Sequence, residues 1–157
     1  MAVDPLTYVT RWRVRSYELD HNGHVNNAVY LNYAEQLATE HSERAGFGRT
    51  WAQAEGGGWV VHHHEITYHR PAAFDDELEL TVRVERIRGA RAIRHTVITR
   101  PADGAAIADI HTEWVWVRRS DGRPALVPSA LRRLDPGLEP RPPGRARPGP
   151  APARPLP

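Results

Sequence analysis

Four polar residues suited to catalysis are grouped between positions 20 and 27 of the chain. They are the carboxylate Asp20, the imidazole His24 and the amides Asn22 and Asn26. A carboxylate or an imidazole can move a proton or attack an electrophile, and an amide can orient a substrate by hydrogen bonding. Their spacing therefore indicates a candidate catalytic loop.

This segment leads directly into a predicted α-helix over residues 28–45. Gly23 allows the loop to turn tightly, and the side chain of Asn26 or Asn27 can accept a hydrogen bond from a free N–H group at the helix start. The remaining free N–H groups and the helix dipole favour negative charge at that point. We therefore expect the helix start to bind an anion or to stabilise a developing oxyanion.

The predicted helix has one apolar face. Its members recur at helical spacing and are Tyr30, Tyr33, Ala34, Leu37, Ala38 and Ala45. We expect this stripe to be buried against a sheet, and its alanines to let the sheet approach closely. Gly46 is expected to end the helix, because glycine readily adopts the left-handed conformation common after a last turn.

Five segments have the residue pattern of β-strands. They cover residues 8–19, 59–69, 78–85, 91–99 and 106–117. Gly89 and Gly104 mark tight turns between the last three of them. One long helix among antiparallel strands predicts an α+β domain in which the helix covers one face of a sheet. A short helix is expected near the end of the domain, at residues 128–134.

The composition excludes several classes of function. The chain contains no cysteine and no lysine, which rules out disulfides, thiolate nucleophiles, cysteine-based zinc sites and Schiff-base chemistry. The length of 157 residues fits a single domain. A net charge of only +2 and the lack of a long apolar run predict a cytoplasmic protein that binds neither nucleic acid nor a membrane.

Two segments suggest other features. Consecutive histidines place His62 and His64 on one strand face, but local spacing supplies no third ligand, so we expect no metal site.

Residues 135–157 are rich in proline and arginine and lack apolar periodicity. We expect them to form a disordered tail.

The segment from Asp20 to Tyr33 resembles the hotdog-fold acyl-CoA thioesterases, especially those of the 4-hydroxybenzoyl-CoA thioesterase type. Its pattern Asp-x-Asn-x-His-Val-Asn-Asn is also similar to that of the plant acyl-carrier-protein thioesterases. A second motif, Tyr68-x-Arg70-Pro71-Ala72 followed by Asp76-Glu77-Leu78, looks like the passage between the second and third strands of the family. The resemblance covers about residues 8 to 120.

This resemblance implies a single hotdog fold over residues 1–134, in which a five- to six-stranded antiparallel sheet wraps a long central helix. It implies a homodimer or homotetramer, with active sites at the interface between chains. The implied activity is hydrolysis of an acyl-CoA or acyl-carrier-protein thioester, without a metal or an organic cofactor.

The resemblance also implies roles for individual residues. Asp20 would be the nucleophile or the general base, and the backbone N–H of Asn27 would donate to the thioester carbonyl. Asn22 and His24 match positions implicated in the plant-type enzymes, and Glu35 matches a helix position that is often acidic. Substrate-binding roles are expected for three further residues, Tyr30, Arg88 and Arg91.

Other interpretations of the same residues stay open. Asp20 can be a turn residue that binds the backbone of Asn22, and His24 can be a structural residue that fixes the loop. A hotdog hydratase or dehydratase is an alternative enzyme, although its Asp-x-Asn-x-x-His pattern is one residue longer than the spacing here. A non-catalytic acyl-CoA-binding module is a further alternative, but it would need no carboxylate at Asp20.

Overall fold

The computed structural model describes residues 3–138, and within them the chain forms five β-strands and three α-helices. The strands are β1 (Thr7–Arg13), β2 (Gly57–Tyr68), β3 (Glu77–Arg88), β4 (Arg91–Arg100) and β5 (Ala105–Arg118). The helices are α1 (Val29–Arg44), α2 (Arg49–Ala54) and α3 (Ser129–Arg132). Residues 1–2 and 139–157 lie outside the described range.

All five strands belong to one antiparallel sheet with the order β1-β3-β4-β5-β2. The pairing confirms the predicted five-stranded sheet and the α+β class. β1 and β2 are its two edges, so β2 has one side that no strand of the described chain occupies. Such an edge presents unpaired backbone groups to another chain.

α1 covers one face of this sheet, and its buried side chains form the core with those of the strands. Five of the six residues of the predicted stripe are buried, and Ala45 is partly exposed. Leu37 is fully buried and belongs to the same apolar cluster as Leu80, Ile98 and Ile110 of the sheet. The central helix therefore packs as the periodicity predicts.

Two predictions about the first half of the chain need correction. The strand predicted over residues 8–19 ends at Arg13, and a 3₁₀ turn follows at Ser16–Glu18. The pairing becomes irregular there: the Val14 N–H still donates to the Asp76 carbonyl, but the Val14 carbonyl accepts from Asp75, which has a φ of 66°. Sequence patterns also missed α2, which is too short to show an apolar period.

The predicted boundary between domain and tail is too early. Asp135, which we assigned to the disordered tail, is buried. Its Oδ1 atom accepts hydrogen bonds from the N–H groups of Ile87 at 3.0 Å and Gly137 at 3.1 Å. The folded part of the chain therefore continues past residue 134. The disorder predicted for residues 139–157 concerns a segment outside the described range.

Among residues 3–138, no helix is both long enough and apolar enough to cross a membrane.

Candidate active site

Residues 20–24, called here the Asp20 loop, form the tip of a tight hairpin-like turn. An isolated bridge between Leu19 and Val25 closes its base. Inside it, the Asp20 N–H donates to the His24 carbonyl at 2.7 Å, and the Gly23 N–H donates to the Asp20 carbonyl at 3.0 Å. Gly23 has a φ of 75°, which favours glycine at this position. The loop geometry is thus fixed by its own backbone.

The Asp20 carboxylate has one engaged oxygen and one free oxygen. Oδ1 accepts the N–H groups of Asn22 at 2.9 Å and His24 at 3.2 Å. Partial burial alone would raise the pKa of Asp20, but the hydrogen bonds from His24 and Asn22 outweigh it and lower the pKa below the usual value. No donor within residues 3–138 contacts Oδ2. The carboxylate thus serves as a turn residue and still presents an ionised oxygen.

The start of α1 follows directly and contains a free backbone donor. The N-cap of α1 is Ala28 and carries no side-chain cap, so the prediction of a cap by Asn26 or Asn27 is wrong. Asn26 instead forms a turn before the helix: its Oδ1 accepts the Ala28 N–H at 2.9 Å and its carbonyl accepts the Val29 N–H, also at 2.9 Å. The Asn27 N–H has no acceptor among the described residues, whereas the Asn27 carbonyl accepts a hydrogen bond from the Tyr68 hydroxyl at 3.0 Å. The predicted oxyanion donor is therefore available, and Tyr68 at the end of β2 adjoins it.

Sequence patterns missed Glu18, a buried carboxylate that supports this site. Its Oε2 accepts the Tyr33 hydroxyl at 2.6 Å and the Arg15 N–H at 2.8 Å, and its carbonyl accepts the Asn26 N–H at 2.9 Å. Burial opposes the charged form, but the hydrogen bonds from Arg15 and Tyr33 outweigh burial and lower the pKa of Glu18. Glu18 therefore links the first residues of α1 to the segment before the Asp20 loop.

We expect Glu18→Ala to lower the free energy of unfolding by about 3 kcal/mol, because it removes hydrogen bonds to a buried charge and leaves the Tyr33 hydroxyl unpaired. The folded-state pKa is depressed, so the contribution of Glu18 is complete above its ordinary value of 4.5 and is lost as the pH falls. Urea unfolding at neutral and acidic pH measures both effects.

Glu77→Ala is the matched control, since Glu77 is a half-exposed carboxylate whose ion pairs with Arg11 and Arg13 lie at the surface. We expect it to change stability by less than about 1 kcal/mol. Equal losses for the two variants would show that the Glu18 network contributes nothing beyond a surface ion pair.

A cavity of about 460 Å³ lies between the second half of α1, α2 and the start of β2, and we call it the α1–β2 cavity. Apolar side chains dominate its wall, which includes Ala38, Phe47, Trp59 and Trp114. Its polar wall residues include Glu35 and Arg94. A concave, largely apolar site of this size suits a small-molecule ligand with an apolar body.

Of the other predicted site residues, Glu35, Arg88 and Arg91 lie apart from the Asp20 loop within one chain, whereas Tyr30 packs beside Tyr68 near the start of α1. Glu35 lies in α1 on the wall of the α1–β2 cavity, and Tyr30 is buried in the core against Tyr68. Arg88 and Arg91 face each other at the tip of the β3–β4 hairpin, where Arg91 contacts Glu113. β3 begins near the loop, so its far end is about 35 Å away.

The residues that could hold a metal are not the consecutive histidines. His62 and His63 are exposed, and His64 Nδ1 lies 2.9 Å from the Thr112 hydroxyl. Among the described residues, the side chains grouped closely enough for a shared ion are Glu85, His95 and His111. They lie on the sheet face opposite α1, away from the Asp20 loop.

Comparisons with known proteins agree with this geometry. The family model described as "Thioesterase-like superfamily" matches residues 14–134. The long-chain acyl-CoA thioesterase FadM of Escherichia coli is 35% identical over 123 residues, which cover 78% of this chain and 92% of FadM. The chloroplastic acyl-acyl carrier protein thioesterase ATL3 of Arabidopsis thaliana is 28% identical over 76% of this chain and 63% of its own length.

Solved structures give the same result. The crystal structure of YbaW, a probable thioesterase from Escherichia coli, is 31% identical with a TM-score of 0.72, and the match covers 80% of this chain and 93% of YbaW. These matches confirm the resemblance first indicated by the Asp20-to-Tyr33 motif. With its antiparallel sheet and central helix, the chain belongs to the thioesterase-like superfamily and is a thioester hydrolase of the hotdog fold.

Proposed function

We propose that the chain hydrolyses an acyl-CoA or acyl-carrier-protein thioester at the Asp20 loop. This proposal rests on two groups in neighbouring segments. One is the Asn27 N–H, a backbone donor without an acceptor among the described residues, and the other is the ionised carboxylate of Asp20, whose Oδ2 accepts no hydrogen bond there. The names of FadM and ATL3 as acyl-CoA and acyl-carrier-protein thioesterases support this substrate class.

In the proposed reaction, the thioester carbonyl oxygen accepts a hydrogen bond from the Asn27 N–H. As a general base, Asp20 takes a proton from water while the water oxygen attacks the carbonyl carbon. The negative charge that develops on the carbonyl oxygen is stabilised by the same N–H. Collapse of the intermediate breaks the carbon–sulfur bond, and the departing thiolate takes up the proton.

Asp20 can also act as a nucleophile. Oδ2 would then attack the carbonyl carbon directly and expel the thiolate, which leaves a mixed anhydride that water hydrolyses. Both routes use the free oxygen of Asp20 and the same oxyanion donor. Asn22 and His24 flank the carboxylate and are proposed to orient water or substrate in either route.

The complete site is proposed to form between two chains that pair antiparallel through the free edge of β2. Two-fold symmetry about the middle of β2 places Tyr68 of one chain beside the Gly57 end of the other. Tyr68 contacts Asn27, while Gly57 borders the α1–β2 cavity. The bound acyl group would therefore extend from the Asp20 loop of one chain into the α1–β2 cavity of its partner. Glu35 lies on the wall of that cavity.

We expect the protein to be a dimer or tetramer in solution, and Val60→Arg to raise the dissociation constant of its β2-edge interface at least about tenfold. Val60 is 46% exposed on β2, and pairing of two chains along this edge would bury the added charge against the partner. Light scattering over a range of concentrations measures the shift. Val9→Arg is the control, because Val9 is 51% exposed on the opposite edge strand β1.

If the unaltered protein is a monomer at every concentration, the proposed β2-edge interface and the active site shared between chains are both contradicted. Equal dissociation in both arginine variants would place the interface elsewhere.

The function itself is tested by measuring free-thiol release from a panel of acyl-CoAs and acyl-carrier proteins. We expect release with at least one member of the panel, and its loss in Asp20→Asn. A well-folded protein that releases no thiol from any member would overturn the proposed substrate class.

A further inference from the structure

Arg94 carries a positive charge on the wall of the α1–β2 cavity without a carboxylate partner among the described residues. Its guanidinium donates from Nη1 to His41 Nδ1 at 2.8 Å and from Nη2 to the Ser42 hydroxyl at 3.0 Å. Neither acidic residue of the same wall forms an ion pair with Arg94. Glu43 accepts the Arg49 N–H through its side chain, and the Glu35 carboxylate makes no hydrogen bond or ion pair among the described residues.

Both partners of Arg94 are neutral. His41 Nε2 lies 2.8 Å from the Asp4 carbonyl oxygen, which can only accept a hydrogen bond, so Nε2 carries the proton and Nδ1 is the acceptor. Burial lowers the pKa of His41 and keeps this imidazole uncharged at neutral pH. Burial also lowers the pKa of Arg94 to about 10. The positive charge of Arg94 is therefore hydrogen-bonded but not neutralised by a carboxylate.

A second donor of the cavity wall also lacks an acceptor. Trp114 lies on β5 opposite Ala92, two residues from Arg94 on the same face of the sheet. Its Nε1–H is buried and has no hydrogen-bond partner in the described part of the chain. A buried donor left unpaired is costly, and so is a buried charge without a counter-charge.

The cavity therefore combines an apolar wall with hydrogen-bond donors that lack acceptors. Resting on the proposed thioesterase function, we propose that the α1–β2 cavity selects acyl groups whose far end carries a carboxylate, which Arg94 binds as its counter-charge. The apolar wall contacts the chain of the acyl group. A guanidinium can bind a carboxylate through two parallel N–H groups, and two of its five N–H groups are used by His41 and Ser42.

The test compares thioesters that differ only at the end of the acyl chain: sebacoyl-CoA with a terminal carboxylate, ω-hydroxydecanoyl-CoA and decanoyl-CoA. We expect the unaltered enzyme to hydrolyse sebacoyl-CoA with a kcat/KM at least about tenfold above that for decanoyl-CoA. Arg94→Met should abolish this preference, and Arg94→Lys should retain part of it because the charge remains.

Arg83→Met is the matched control, since Arg83 is an exposed arginine on the other face of the sheet and should leave the preference unchanged. If the unaltered enzyme hydrolyses decanoyl-CoA and sebacoyl-CoA with equal kcat/KM, the carboxylate site is refuted while the thioesterase function stands. A preference for ω-hydroxydecanoyl-CoA over sebacoyl-CoA would also refute it, in favour of a neutral acceptor. Hydrolysis of none of the three, nor of any thioester in the panel, would withdraw both proposals.

Discussion

Asp20→Asn and Asp20→Ala are each expected to lower kcat/KM by at least about a hundredfold while the protein stays folded. Asn keeps an oxygen that can accept the N–H groups of Asn22 and His24, so the loop geometry should persist without the negative charge. Loss of activity in this variant then reports on the charge. Steady-state kinetics on an acyl-CoA, with the melting temperature of each variant, measures the effect.

The pH dependence of kcat/KM identifies the reacting group. Because loop hydrogen bonds lower the pKa of Asp20 below its ordinary value of 3.8, a carboxylate mechanism keeps its activity down to about pH 4. A histidine acting as the general base would instead lose activity below about pH 6.5, the usual imidazole value. An acid limb near that value would contradict Asp20 as the base.

A matched control is Asp121→Asn, a carboxylate in the turn after β5 whose partners are Arg118 and Arg123. We expect it to keep normal turnover. Near-normal turnover in both Asp20 variants would move the chemistry to His24 or Glu35. Glu35 would then act from the partner chain, since within one chain it lies on the α1–β2 cavity rather than at the loop.

Features of the fold that depend on local periodicity were predictable from the sequence. The stripe from Tyr30 to Ala38 predicted α1 to within one residue at each end, because burial of one helix face imposes the period. Gly46 ends this helix with a φ of 84°, as its position predicts. The side-chain cap predicted at Asn26 or Asn27 was wrong, because Asn26 forms a turn one step before the N-cap Ala28.

Features that depend on tertiary contacts were not predictable. No sequence pattern singled out Glu18, and Asp135 was predicted to belong to the tail, yet both side chains are buried and accept hydrogen bonds from backbone N–H groups. Arg94 lies between Ile93 and His95 on β4, and this pattern alone gives no sign that it faces a cavity. These charges become informative only when the surrounding donors and acceptors are known.

The helix start is expected to show an equally large effect, and a pair of variants separates its backbone from its side chain. Asn27→Ala should retain substantial turnover because the Asn27 side chain is exposed and makes no hydrogen bond within the described chain. Asn27→Pro should lose about a hundredfold or more in kcat, since proline removes the N–H that is proposed to hold the oxyanion. Steady-state kinetics of the two variants on the same thioester provides the measurement.

The comparison depends on equal folding, and the local structure favours it. Asn27 lies just before the N-cap Ala28, and its N–H has no acceptor among the described residues, so proline at this position removes no hydrogen bond of the described fold. The contacts of Asn26 with Ala28 and Val29 do not use the Asn27 N–H, so both should survive in Asn27→Pro. Closely matching melting temperatures would establish this. Equal activity in the two folded variants would then show that another group holds the oxyanion, and the role of Asn27 would be withdrawn.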